Sequence, residues 1–330
     1  MHITDTYAAC DLCPRGCGVN RLSGGKGYCG ETAELRIAAA GIHRGEEPPI
    51  TGGGGSGTIF VSGCNLGCGF CQNWQISRAG MGRMVTEGEF ARICMTLQEQ
   101  GAENINIVTG SHAVPALALG IKAARAQGLT LPVLWNSSAY ESLTALDLLR
   151  DIAEVYLPDL KTLDPALSAR FFKAPDYPER AAAAIRRMMD FRELRFGPPR
   201  TIGPDEAGSP RVLRSGVLIR HLVLPGYLGA TRQVLRWYAD NAQGWALFSL
   251  MTQYTPPNPT EADIPGRAIS EAEYETLLRW LEEFEIEDGF YQELVPGNTD
   301  WLPNFEKPNP FSSELSQPTW HWKQPVQRPS

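Results

Sequence analysis

The chain has 330 residues and a net charge of −7 at pH 7, with 43% hydrophobic and 20% charged residues. This composition is typical of a globular protein with a buried core, and the acidic balance argues against a nucleic-acid partner. The sequence has no run of 18 apolar residues, which argues against a membrane-spanning helix. The opening MHITDTYAACDLC lacks the features of a signal peptide, so we expect a cytoplasmic protein with reduced cysteines.

The first 50 residues are predicted to form a cysteine-rich, metal-binding arm. They contain a C-x2-C-x3-C-x11-C pattern with neighbouring glycines, made by Cys10, Cys13, Cys17 and Cys29. In a reducing compartment such a pattern indicates metal binding before disulfides. Four sulfur ligands suit zinc or a second iron–sulfur cluster, and the spacing does not choose between them.

After residue 57, short apolar segments alternate with segments of helical character. The predicted strands are 58–63, 105–110, 131–136, 155–160, 217–225 and 245–251. The predicted helices are 86–100, 113–127, 140–151, 178–195, 229–242 and 270–285. The alternation predicts an α/β fold with a parallel sheet. Six βα units favour a partial (β/α)6 TIM-like barrel, placed at 51–290, over a closed eight-stranded barrel, and a doubly wound sheet is the competing architecture.

Residues 291–330 are predicted to be an irregular C-terminal extension. They are rich in proline, tryptophan and serine. Because disordered segments are poor in aromatic residues, the tryptophans indicate a segment that packs on the barrel.

The stretch GCNLGCGFCQNW holds Cys64, Cys68 and Cys71 directly after the first predicted barrel strand. The carboxyl ends of barrel strands are where active sites occur. Three thiols are one too few for a structural zinc site. A [4Fe–4S] cluster held by three thiolates instead leaves one iron open to an external ligand. A zinc knuckle or a chance group of buried thiols is the alternative interpretation.

With the aromatic Phe70 before its third cysteine, this motif resembles the signature of the radical S-adenosylmethionine (SAM) superfamily. The resemblance implies a [4Fe–4S] cluster whose open iron binds SAM. Reductive cleavage of SAM then gives a 5′-deoxyadenosyl radical that abstracts hydrogen from the substrate. It also implies a one-electron donor of the flavodoxin or ferredoxin type, and no catalytic side chain beyond the cluster and SAM.

Residues 58–254 further resemble the core of glycyl-radical-enzyme activators of the pyruvate formate-lyase activating type. The segment LPDLK matches their D-L-K element, and IRHLVLPG matches a segment whose arginine holds SAM. The resemblance therefore implies SAM contacts for Asp159, Lys161 and Arg220, with Phe70 beside the adenine. A charge within VLIRHLVLP also requires a buried partner, whatever its role.

One element of that family is replaced in this chain. Its members carry a G-G-E-P stretch after the second strand, which receives the amine of SAM. Here the sequence is VTGSHAVP, so Gly110, Ser111 and His112 stand in that place and the glutamate charge is missing. We expect SAM to bind still, with Asn136 of WNSSAY as a further polar contact.

Three functions follow from these observations. The first is hydrogen abstraction that activates a partner enzyme, the protein substrate, by forming a glycyl radical. The second is radical SAM modification of a small molecule or a peptide, which the missing G-G-E-P favours. The third is a non-enzymatic iron–sulfur or zinc-binding interaction protein, against which Asp159, Lys161 and Arg220 argue.

Overall fold

The computed structural model describes residues 3–200, 211–256, 264–295, 299 and 301–324. Parts of the predicted arm and of the predicted C-terminal extension therefore lie outside the described residues. The strands, in chain order, are β1 Leu35–His43, β2 Ser56–Val61, β3 Arg83–Val85, β4 Ile105–Val108, β5 Val133–Ser137, β6 Val155–Pro158, β7 Arg195–Gly197, β8 Val212–Leu222, β9 Leu247–Met251, β10 Gly289–Tyr291 and β11 Ser316–His321. The helices are α1 Pro48–Thr51, α2 Trp74–Ser77, α3 Glu87–Glu99, α4 Val114–Ala126, α5 Leu143–Leu149, α6 Pro165–Phe172, α7 Tyr177–Phe191, α8 Leu228–Asn241 and α9 Glu271–Glu283, preceded by a 3-10 turn at Ile3–Tyr7.

The centre of the molecule is a parallel sheet whose strands follow chain order. Strands β2, β4, β5, β6, β8 and β9 lie side by side and pair in parallel. A doubly wound sheet would reverse its strand order at a switch point, and this sheet does not. In the described part of the chain the sheet ends at β10 on one side and β11 on the other without closing. The predicted partial barrel is therefore confirmed.

The helices form where apolar periodicity and capping side chains agree. Helix α3 begins at Thr86, whose side chain accepts a hydrogen bond from the Glu89 N–H, and α9 begins with a Ser270–Glu273 capping box. Such caps satisfy N–H groups that have no partner within the helix. The apolar strands are covered by these helices, so a residue such as Trp135 is fully buried.

Strand β1 was not among the predicted strands. Its sequence LRIAAAGIH is rich in alanine, which is depleted in strands. Nevertheless β1 pairs antiparallel with β2 and extends the sheet past the first barrel strand. It also carries the chain from the cysteine-rich arm into the barrel, so the β1–β2 loop lies next to the barrel interior.

The arm and the C-terminal extension both pack on this sheet. In the arm, Arg21 is buried, donates to the carbonyls of Thr32 and His112, and stacks on the Tyr7 ring at 4.5 Å. In the extension, β11 pairs antiparallel with β1, and the buried Phe305 donates its N–H to Gln75 Oε1 at 2.9 Å. Among the described residues, no helix has both the length and the apolar character needed to cross a membrane.

One prediction follows from His221, which is buried between β8 and α8. Its Nδ1 lies 2.7 Å from the Leu160 carbonyl and its Nε2 lies 3.0 Å from Thr231 Oγ1. Burial lowers the pKa of His221 to about 4. At pH 5 the unfolded histidine is protonated and the folded one is not, so lowering the pH from 7 to 5 costs about 2 kcal/mol of stability.

Urea unfolding of wild type and His221→Gln at pH 7 and pH 5 measures this contribution. The loss of unfolding free energy between the two pH values should be smaller in the variant by about 2 kcal/mol. Equal losses in both proteins would show that His221 does not carry this pH dependence.

Candidate functional site

A cavity of about 900 Å³ opens at the carboxyl ends of the parallel strands and extends to the β1–β2 loop. Its volume lies at the upper end of the range for small-molecule sites, roughly 300–1,000 Å³. The predicted site residues that line it are Phe70, Cys64, Cys68, Cys71, Asn136, Asp159, Lys161 and Arg220. The fold thus brings residues from four separate strand ends to one space.

The three cysteines after β2 form one wall of this cavity. Gly63 begins their loop with φ +86°, a conformation that glycine adopts without strain. The Leu66 N–H lies 3.3 Å from Cys64 Sγ, and Ser77 Oγ lies 3.4 Å from Cys71 Sγ. Burial, with the nearby Cys71 thiol, raises the pKa of Cys64 to about 12. Burial also raises the pKa of Cys68. These two free thiols are therefore neutral, and a bound cationic centre would be needed to hold them as thiolates.

The three cysteines supply the number of sulfur donors that a [4Fe–4S] cluster with one open iron requires. Within the described residues, no group of three or more His, Cys, Asp or Glu side chains is arranged around one ion position. All three thiols nevertheless face the same cavity, and backbone N–H and hydroxyl groups reach their sulfur atoms. Three sulfur donors on the wall of a roomy cavity are the donor set of a [4Fe–4S] cluster with one open iron.

Lys161 and Asp159 form an ion pair beside the cysteines. Lys161 Nζ lies 2.7 Å from Asp159 Oδ2. The Tyr177 hydroxyl joins their backbones, since it donates to the Asp159 carbonyl at 2.6 Å and accepts from the Lys161 N–H at 2.9 Å. Burial opposes the charge of Lys161, but Asp159 and Cys68 outweigh it and raise the pKa of the lysine. The ammonium therefore stays charged at the cysteine wall.

Arg220 is held by two glutamates of the β1–β2 loop. Its Nε donates to Glu47 Oε1 at 2.9 Å, and its Nη2 donates to Glu46 Oε2 at 2.5 Å and also to Glu47 Oε2. The Asn106 amide donates to the other oxygen of Glu46 at 3.0 Å. Burial opposes ionisation of Glu46, but the charge of Arg220 and the hydrogen bonds from Arg220 and Asn106 outweigh it and lower the pKa of Glu46. We call this group of two carboxylates and the guanidinium that they share, Glu46, Glu47 and Arg220, the carboxylate triad.

The charged groups alternate in sign from the cysteine wall to the far end of the cavity. Lys161 interacts with Cys68 and pairs with Asp159. Asp159 lies beside Arg220, because their backbones form a parallel bridge between neighbouring strands. Arg220 then meets the two glutamates. We call these five side chains, Lys161, Asp159, Arg220, Glu46 and Glu47, the charge row. Each ion in the row has a partner of opposite sign, which burial requires.

Gly110, Ser111 and His112, predicted to bind SAM, do not line the cavity. Ser111 Oγ donates to Glu141 Oε1 at 2.7 Å, and His112 Nε2 lies 2.7 Å from the Ser62 carbonyl. Burial and Arg21 lower the pKa of His112 to about 4, so the ring is neutral. The preceding residues of the same loop, 108–109, face the cavity instead.

Glu46 and Glu47 are the cavity residues that sequence reasoning missed. They lie in GEEPP, within a segment assigned to the metal-binding arm. A signal was available, since the charge of Arg220 inside an apolar strand requires a buried acid. The partners stand 173 and 174 positions away, however, and nothing local in the sequence connects them.

The four cysteines of the arm lie outside the cavity, next to the loop that carries Cys64, Cys68 and Cys71, which we call the cluster loop. Tight turns shape their segment: the Gly18 N–H donates to the Cys10 carbonyl at 3.0 Å, and the Tyr28 N–H lies 3.3 Å from Cys17 Sγ. Burial raises the pKa of Cys13 to about 11, and the Cys10 and Cys17 thiols add to the rise. Burial also raises the pKa of Cys29, and the Cys10 thiol adds to this rise. The four thiols lie within one short segment, but the described residues show no group of three or more His, Cys, Asp or Glu side chains arranged to hold a single ion.

This sulfur group lies directly against the first barrel loop. A side chain at Gly63 would come within 3.0 Å of the Cys29 carbonyl. The Cys29 thiol also contributes to the raised pKa of Cys64. Arg15 fixes the arm further, since it donates to the Asn65 carbonyl at 2.9 Å and stacks on Tyr28 at 3.9 Å.

Comparison with known proteins agrees with this geometry. Residues 58–192 match the radical SAM superfamily. Over 291 residues the chain is 28% identical to Uncharacterized protein MJ0674 of Methanocaldococcus jannaschii, an alignment that covers 85% of this chain and 76% of that protein. Residues 58–192 are therefore similar to the radical SAM superfamily, and a [4Fe–4S] cluster and SAM are the cofactors that this similarity implies.

Two solved structures to which the chain is similar are a SAM-bound protein and a radical SAM methyltransferase. SuiB of Streptococcus suis, bound to S-adenosylmethionine, has a TM-score of 0.49 and 12% identity, with 70% of this chain and 48% of SuiB covered. A radical SAM methyltransferase from Sphaerobacter thermophilus has a TM-score of 0.49 and 17% identity, with 72% and 66% covered. The chain thus spans about half the length of SuiB.

The carboxylate triad predicts a strong effect of Arg220→Met. The substitution leaves two buried carboxylates without their cation, so the free energy of unfolding should fall by about 3–5 kcal/mol. Lys323→Met, which removes an exposed pair with Glu306, should cost less than about 1 kcal/mol. Urea unfolding of both variants checks this, and similar small losses would show that the triad contributes little to stability.

Proposed function

We propose that this protein is a radical SAM enzyme that abstracts hydrogen from a substrate bound in the 900 Å³ cavity. The observation that carries the proposal is the convergence of Cys64, Cys68 and Cys71 with the charge row in one cavity of a radical SAM domain. When bound, the [4Fe–4S] cluster and SAM supply a 5′-deoxyadenosyl radical. The chain itself has to bind and orient the reactants and to exclude water.

Side chains near the cysteine wall would hold SAM. Lys161 stays protonated and can pair with a carboxylate, while Asp159 and Asn136 offer acceptors for hydroxyl or amine groups. Phe70 packs edge-on against Tyr254, with ring centroids 5.9 Å apart, and gives an apolar wall for an adenine. Ser111 and His112 support the loop from behind by binding Glu141 and the Ser62 carbonyl, and Gly110 allows the loop to pack against Leu117.

A small molecule or a peptide segment is the substrate that the cavity favours. Residues from the C-terminal part of the chain also line the cavity, among them Tyr291, Trp301 and Phe311. This segment adds to the wall around the cavity, which suits a small molecule or an extended peptide better than a loop of a folded partner. Glycyl-radical activation of a partner enzyme is the second candidate and rests on the D-L-K and arginine motifs alone.

The arm is proposed to hold a second metal group, zinc or an iron–sulfur cluster, at Cys10, Cys13, Cys17 and Cys29. Its position against the Cys64 loop supports an electron path from a one-electron donor of the flavodoxin or ferredoxin type if the group is a cluster. Zinc at the same place would stabilise the fold of the arm.

The first test is formation of 5′-deoxyadenosine by the anaerobically reconstituted protein with SAM and dithionite. Wild type should produce it, and Cys64→Ala should lose most cluster iron and at least about a thousandfold in rate, because a cluster with two protein ligands cannot be held open for SAM. Cys94→Ala is the matched control, since this buried thiol lies on α3 away from the cavity. The radical mechanism would be refuted if wild type formed no 5′-deoxyadenosine and the iron content of Cys64→Ala equalled that of wild type.

Deuterium transfer separates the two candidate substrates. Candidate small molecules and peptides labelled at C–H positions should pass deuterium into 5′-deoxyadenosine, because the radical takes the hydrogen atom from the substrate. Transfer only from a deuterated glycine in a partner protein would favour glycyl-radical activation instead.

Metal analysis of a Cys10→Ala/Cys13→Ala double variant tests the arm. One zinc per chain, or one cluster's complement of iron, should be missing from the double variant while the iron held at Cys64, Cys68 and Cys71 remains. A double variant with the same iron and zinc content as wild type would show that the arm binds no metal.

A further inference from the structure

The charge row contains more carboxylates than cations. Lys161 and Arg220 are its cations, while Asp159, Glu46 and Glu47 are its carboxylates. The excess negative charge lies in the carboxylate triad, where one guanidinium serves two acids whose side chains are only 12% and 9% exposed. A buried charge without a counterion is costly. This end of the cavity therefore carries an excess negative charge that a bound cation would neutralise.

Neighbouring groups leave that excess uncompensated. His43 is buried and lines the cavity here, and burial lowers its pKa, so its ring is neutral. Arg44 is exposed and makes no ion pair with Glu46 or Glu47 in the described residues. No described side chain at this end therefore supplies the missing positive charge.

An unused polar atom lies beside the same carboxylates. His43 is buried and lines the cavity, and its Nδ1 has no partner in the described residues. A buried polar atom without a partner is uncommon in folded proteins. The carboxylate oxygens, which also line the cavity, can accept more than one hydrogen bond each. The region thus has spare hydrogen-bonding capacity as well as excess negative charge.

We propose that the carboxylate triad binds a cationic group of the substrate, an ammonium or a guanidinium, and that the substrate is accordingly an amine. This inference rests on the proposed function, because it places the substrate in the same cavity. An ammonium offers several N–H donors to the carboxylate oxygens, and a guanidinium offers five. Either would neutralise the excess charge and bring donors to this cluster of acceptors.

The charge row indicates that this cation belongs to the substrate. Lys161 and Asp159 lie next to Cys68, where SAM has to meet the cluster, and Arg220 stands between them and the two glutamates. The two glutamates at the far end of the row are therefore separated from the cysteine wall by three ions of alternating charge, Lys161, Asp159 and Arg220. Binding an amine at the far end orients the rest of the substrate toward the cysteine wall.

Binding of simple amines to the full, cluster-reconstituted, SAM-loaded protein tests this proposal. The probes are n-butylamine and agmatine, with n-butanol as the uncharged analogue, and their affinities are measured by calorimetry. Wild type should bind both amines at least about tenfold more tightly than the alcohol, as expected for a charge-assisted hydrogen bond. Glu46→Gln keeps the shape of the side chain but removes the excess charge, and should abolish that preference.

Two further variants make the result decisive. Glu306→Gln removes an exposed glutamate far from the cavity and should bind amines as wild type does. Glu47→Gln should lose the preference for amines as Glu46→Gln does, and it serves if the Glu46 variant fails to fold. Equal affinities for amine and alcohol in wild type, or full amine binding by the folded Glu46 variant, would overturn the proposal.

The same titrations identify the source of the cation and keep the two proposals apart. Weaker SAM binding by Glu46→Gln, with amine binding intact, would assign the triad to the ammonium of SAM and overturn the substrate assignment. Wild type that cleaves SAM but has no preference for amines would contradict this inference alone. Wild type that prefers amines but never forms 5′-deoxyadenosine would contradict the proposed radical function alone.

Discussion

The position of Arg220 between two glutamates is the constraint on which the candidate site depends. A guanidinium inside the apolar strand β8 is stable there only with buried counterions. Glu46 and Glu47 supply them from the β1–β2 loop, more than 170 residues earlier in the chain. The contact holds that loop against the barrel interior. It therefore joins the β1–β2 loop, which precedes the first strand of the parallel sheet, to the last part of the barrel, and it sets the polarity of the cavity between them.

The same contact divides the cavity into two chemical regions. Near the cysteines, Lys161 and Asp159 neutralise each other beside three thiols that suit a cluster. At the opposite end the acids outnumber the cations. Because electrostatic interactions are strong where water is excluded, such a division orients a bound molecule as well as selecting it. Arg220 takes part in both regions, through Asp159 on one side and Glu46 on the other.

Local signals in the sequence were sufficient for much of this structure. Continuous apolar strands alternating with amphipathic helices predicted the barrel, because they depend on neighbouring residues. The order of strands and loops also put Cys64, Cys68 and Cys71 after the first parallel strand, where they line the cavity. Strand β1 was missed because its alanines have little intrinsic preference for a strand. The direction in which Ser111 and His112 point, and the pairing of Arg220 with Glu46, depend on how distant segments pack. Such contacts have no local signature.

The C-terminal segment makes contacts that complete the packing around the cluster loop. Strand β11 covers the outer edge of β1, and the Phe305 N–H binds Gln75, just after the third cysteine of the cluster loop. The loop is made early during synthesis, yet contacts that hold it come from residues made some 230 positions later. Contacts of such long sequence separation form late in folding. The loop that carries Cys64, Cys68 and Cys71 thus reaches its native packing only after translation, so an unfinished chain exposes these cysteines without the contacts that hold their loop.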